Sequence, residues 1–75
     1  TLNNLGLCYA GLGQTDQALE FYQRALTLDA NQAEVWLNLG LLLRDCGESQ
    51  AAAHALERAL QLDPSIAERF PAPGK

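Results

Sequence analysis

The 75-residue chain has no methionine, one histidine and two cysteines, and these shortages narrow its chemistry. Cys8 and Cys46 cannot hold a metal alone, and His54 stands at no ligand spacing from either. Nothing in the spacing suggests a disulfide. Each cysteine has apolar neighbours at helical spacing, so both thiols are expected to be buried, inert and slow to titrate until the chain unfolds. Basic residues are scarce: five Lys/Arg against nine Asp/Glu leave a net charge of −4, the wrong sign for tracking phosphates, so no nucleic-acid partner is expected. Uninterrupted apolar runs are too short to cross a bilayer, and no membrane insertion is expected. There is no nucleophile beside a base and no carboxylate pair, so no catalysis and no cofactor are expected. A start at Thr1, without methionine or a basic-then-apolar leader, reads as a piece of a longer protein and leaves the compartment open.

Apolar side chains are plentiful. At 48% hydrophobic, the chain is composed as a packed domain, near the lower size limit for a core without disulfides, metal or partners. A core that small leaves no room for a deep pocket, so function should lie on a surface.

Shifting the chain against itself by 34 residues aligns thirteen identical pairs over the 34 positions from Thr1 to Glu34, among them Asn4/Asn38, Leu5/Leu39, Gly6/Gly40, Ala18/Ala52, Arg24/Arg58, Ala25/Ala59 and Asp29/Asp63. Such self-similarity marks two copies of one supersecondary unit. The second copy supplies Trp36, Leu39, Gly40, Leu43, Ala52, Leu56, Ala59 and Pro64, and the first supplies Leu2, Leu5, Gly6, Tyr9, Ala18, Tyr22, Ala25 and Ala30. In period and in these residues the chain resembles the tetratricopeptide repeat, from residue 1 to about 68, departing from its pattern chiefly at Ala30, where the family has proline. The resemblance implies an all-α, helix-turn-helix solenoid. Its two repeats span 1–32 and 33–66, and 67–75 forms a short capping turn with a proline-containing tail.

Local signals give the same helices. A first helix over 1–12 ends before Gly13, and Thr15 is placed to cap a second from Asp16 to about Leu28. Asn31 and Glu34 read as a capping box for a third helix running to Cys46, where Gly47 ends it; Ser49 then caps a fourth reaching Leu62. Ser65 and Glu68 repeat the cap for a fifth, which Pro71 and Pro73 stop. Gly6 and Gly40, paired with Ala18 and Ala52, are expected where helix backbones approach closely. Trp36, Leu39, Leu43 and Cys46 form a stripe facing Leu56, Ala59 and Leu60. His54 should face solvent, while Arg24 and Arg58 should serve structure by pairing with acidic neighbours or helix ends.

The sides of the first helices that do not face their partners hold Asn3, Asn4, Leu7, Ala10 and Gly11 in the first copy. Leu37, Asn38, Leu41, Arg44 and Asp45 are their equivalents in the second. The resemblance implies that these ten residues line a concave groove binding a protein or peptide segment. The leucines would give apolar contact, while Asn4 and Asn38 would offer donors and acceptors to an extended backbone. Asn4 and Asn38 also resemble rungs of the asparagine ladder in O-linked N-acetylglucosamine transferases, which would make the chain the substrate-recruiting array of a larger enzyme. A chaperone-tail carboxylate clamp is not expected, because its positions carry Asn3, Leu7, Asn38, Glu68 and Ala72. Two repeats leave apolar ends uncovered, so a homodimer or stacking is a third expectation. One route to it is a domain swap in which the helix-forming Ala30 lets residues 16–46 straighten into one helix, against the capping preference of Asn31 and Glu34.

Overall fold

Every regular element among the described residues, 2–69 of the computed structural model, is an α-helix: α1 (Leu2–Gly11), α2 (Thr15–Leu28), α3 (Ala33–Asp45), α4 (Ser49–Leu62) and α5 (Ile66–Arg69). α1 packs on α2 and α3 on α4; α3 also packs on α2 and touches α1, and α5 closes on α4. The result is two helical hairpins stacked side by side, the arrangement expected of a helix-turn-helix solenoid.

The hairpin turns are built identically. Gly13 and Gly47 take φ of 81° and 85°, a left-handed conformation costly for any residue with a Cβ. That turn lets the Gln14 N–H donate to the Tyr9 carbonyl at 2.9 Å and the Glu48 N–H donate to the Leu43 carbonyl at 2.9 Å, five residues back in each case.

Caps differ from expectation. The residues preceding α2, α3 and α4 are Gln14, Gln32 and Glu48, none with a side-chain cap bond, so Thr15 and Ser49 lie inside their helices and Asn31 lies before its own. Order in the turn between hairpins comes instead from the recurring aspartate. Asp29 Oδ1 accepts the Asn31 N–H at 3.0 Å, and Asp63 Oδ1 accepts the Ser65 N–H at 3.1 Å and its hydroxyl at 2.6 Å. The Glu68 side chain, Pro71, Pro73 and the tail lie outside what the structure describes.

The turn at Ala30 is closed, and α2 and α3 are separate helices on either side of it. Gln32 Nε2 donates to the carbonyls of Ala25 and Asp29 at 2.9 and 3.0 Å, and Trp36 Nε1 donates to the Ala30 carbonyl at 2.8 Å. Asp29 (φ −157°, ψ 105°) and Asp63 (φ −147°, ψ 92°) share the extended conformation that a residue before proline prefers, and Pro64 follows the second. Proline at position 30 keeps the carbonyl that Trp36 uses. Ala30→Pro should therefore stabilise the chain by about 0.4–1 kcal/mol through its unfolded state, read as a higher urea midpoint; a lower midpoint would contradict the turn assignment.

The main core holds Ala18, Tyr22 and Ala25 of α2, Val35, Leu39 and Leu42 of α3, and Ala55 of α4. A smaller cluster joins Leu37, Ala59 and Ile66. The glycines work as expected, but against different residues: a Cβ on Gly6 would strike the Tyr22 ring, and one on Gly40 would lie 2.6 Å from Leu56 Cγ. Tyr22 and Leu56 are repeat equivalents, so the close approach seats a large side chain over a bare helix backbone. Three expectations about apolar residues fail. Cys8 and Cys46 are exposed, so neither thiol is shielded, and Leu60 is 39% exposed. Cys46 follows the last turn of α3, past its packed face.

Burial raises the Tyr22 phenol above its ordinary value near 10. The folded chain keeps this proton at pH values where the unfolded chain loses it. The stability it supports is whole below about pH 10 and is lost as pH rises from there through the folded value. In a Tyr9→Phe background, phenolate absorbance should rise later in folded than in urea-unfolded protein; coincident curves would contradict burial of this ring.

Candidate binding surface

α1 and α3 run as neighbours, and one bond fixes their spacing: Asn38 Nδ2 donates to Asn3 Oδ1 at 2.9 Å in a half-buried position. The partner of Asn38 is thus the asparagine one place before its repeat equivalent, Asn4. The bond acts as a strut between first helices, using amide capacity that a ladder reading would direct at a ligand.

On α1, Asn4, Leu7 and Gly11 are exposed, with Leu7 at 46%. On α3, Leu41 is half-buried and Arg44 and Asp45 are exposed. The surface therefore offers an apolar pair at equivalent positions, Leu7 and Leu41, with polar groups of both signs toward the C-terminal end of α3. Ala10 is half-buried against the main core. Leu37, expected in the groove, is 7% exposed and packed with Ala59 and Ile66, so it belongs to the second core cluster. Sequence reasoning missed Ile66 because the first repeat has Gln32 in its place, a polar residue that gives no hint of core.

Other surfaces are less organised. Arg24 pairs with Glu20 at 3.1 Å across one turn of α2, a largely exposed pair of small energetic weight that fits its structural reading. Arg58 Nη1 donates to Gln61 Oε1 at 3.3 Å. His54 is exposed, as expected, with its ring edge-on to Trp36 at 6.5 Å. Tyr9 stacks on Phe21 at 5.4 Å, tying α1 to α2. Among the described residues no group of three His, Cys, Asp or Glu could hold a metal ion, and no helix is long and apolar enough to cross a membrane.

Comparison with curated proteins finds no match. A family model described as tetratricopeptide repeat matches residues 1–32 and again residues 33–66, the same two units that the hairpins α1–α2 and α3–α4 make in space. Two hairpins with equivalent glycine turns, equivalent bare-backbone contacts and two tandem family matches place this chain in the tetratricopeptide repeat family, whose repeats generally mediate protein–protein interaction and are typically non-catalytic.

Proposed function

We propose that the chain is a protein-interaction scaffold, without catalysis of its own, that binds an extended or short helical peptide segment across α1 and α3. The observation that carries this reading is the exposure of Leu7, with its repeat equivalent Leu41 half-buried, on neighbouring helices joined by the Asn38–Asn3 bond. A bound segment would lay apolar side chains on the two leucines. Its charged or amide groups would meet Arg44 and Asp45, and Asn4 would lie within the same footprint. Desolvating a leucine that is nearly half exposed gives a favourable contact without reorganising the core, which suits a preformed groove.

The test uses peptides selected from a random display library on the wild-type chain. Leu7→Asp should weaken the selected peptides by about tenfold or more while leaving helicity unchanged, because a carboxylate would face their apolar anchors. Unaltered affinity by calorimetry would remove the groove assignment.

A further inference from the structure

One glycine has no part in holding the fold together. Among the described residues, Gly6 and Gly40 make room for Tyr22 and Leu56, and Gly13 and Gly47 take the left-handed conformation of the hairpin turns. Gly11 does neither. It closes α1 with a φ outside the left-handed region, and a Cβ placed on it would meet nothing described within 4 Å beyond its chain neighbours and its own helix backbone. Its equivalent one repeat later is Asp45. The turn after Asp45 forms the same bond, Glu48 N–H to the Leu43 carbonyl, as the turn after Gly11, Gln14 N–H to the Tyr9 carbonyl. A side chain is therefore compatible with this place in the hairpin. Glycine here costs helix propensity relative to alanine, and no internal contact offsets that cost.

We infer that Gly11 seats a large apolar side chain of the bound segment, laid against bare helix backbone beside Leu7. The inference rests on the reading that a peptide segment crosses α1 and α3. Gly11 is exposed, stands four residues after Leu7 and seven after Asn4, and so shares their side of the helix. The molecule uses the same arrangement twice internally, where the Tyr22 ring lies over Gly6 and Leu56 lies over Gly40. Missing bulk at Gly11 leaves an equivalent notch on the surface, next to a leucine that is 46% exposed. Its occupant is apolar, because α1 carries no Asp, Glu, Lys, Arg or His and the first charged side chain of the sequence is that of Asp16. A charged side chain lying there would lose water without gaining an ion pair from α1. On α3 the places of Ala10 and Gly11 are taken by Arg44 and Asp45, so of the two repeats only the first has this seat. The repeats then read different parts of one segment: a bulky apolar residue over α1, and polar or charged residues over the end of α3.

Peptides selected on the wild-type chain from a random display library should carry a large apolar residue whose replacement by alanine weakens binding about tenfold. Gly11→Ala should bind those peptides about tenfold more weakly, since its methyl group fills the seat, while its urea midpoint rises because alanine is the better helix former. Opposite signs on stability and affinity separate the seat from a structural role. On Gly11→Ala the penalty for shortening the peptide's large residue should shrink, because the two changes remove the same contact. If Gly11→Ala binds like wild type while Leu7→Asp loses the peptides, the inference falls and the groove reading stands. Full affinity in both variants overturns both. A lowered urea midpoint for Gly11→Ala would reveal an internal need for the glycine and would also overturn the inference.

Discussion

Leu37→Asp should unfold the chain at ambient temperature, although the position reads from sequence as part of a binding groove. Leu37 is 7% exposed among Ala59 and Ile66, with Trp36, Leu41 and Leu56 packed against the same cluster. No buried polar or charged residue occurs among the described residues, so this region offers no companion for a carboxylate. A buried charge without a partner costs several kcal/mol even after its pKa shifts, and loss of the leucine adds about 2–5 kcal/mol. A domain of this size is stabilised by only about 5 kcal/mol or somewhat more. Circular dichroism should show loss of most helicity. Leu7→Asp, one helix away at an exposed site, should stay folded. A folded Leu37→Asp chain with lost peptide binding would restore Leu37 to the groove.

Gly6→Ala should destabilise the chain by about 1–3 kcal/mol, even though alanine is the better helix former by about 1 kcal/mol. The added Cβ meets three atoms of the Tyr22 ring, which is 1% exposed and part of the main core. Gly40→Ala should be milder. Its Cβ meets the branched end of Leu56 at 2.6 and 2.8 Å, a half-buried side chain that can turn aside, although the Leu56 backbone nitrogen at 3.2 Å limits the relief. The pair Gly6→Ala and Tyr22→Leu should be non-additive, the double variant being more stable than the sum of the two predicts, because the smaller side chain gives back the space that the methyl group takes. Urea melts of the four proteins read this coupling. Strict additivity would mean that the glycine is not there for the tyrosine.

These two results separate what the sequence made legible from what it hid. The 34-residue period, Gly13 and Gly47 as helix stops, and the use of Gly6 and Gly40 for close approach can be read from the chain, because each depends on a local pattern that occurs twice. What failed depends on which neighbour covers a residue. Cys8 sits at the place of buried Leu42, and only the stacking order shows that nothing in the described structure lies over it. Leu37 occupies a groove position of the repeat, but Ile66, without an apolar counterpart in the first copy, folds over it. The capping box expected at Asn31 gave way to an aspartate-centred turn, since Gln32 precedes α3 and Asp29 bonds the backbone two residues on, as Asp63 does to Ser65. Asn38 was legible as a polar residue at a recurring place, while its partner Asn3, 35 positions away, could be found only from the contact between α1 and α3.

The claim that matters most is that the α1–α3 side is where this chain meets its partners. Calorimetric titration of library-selected peptides into Leu7→Asp and into Leu60→Asp tests it most directly. Leu60 is 39% exposed on α4, a helix outside the proposed footprint, and serves as a matched charge change elsewhere. The account predicts a loss of about tenfold or more for Leu7→Asp and a change within about twofold for Leu60→Asp. Equal losses at both positions, or a loss at Leu60 alone, would contradict it.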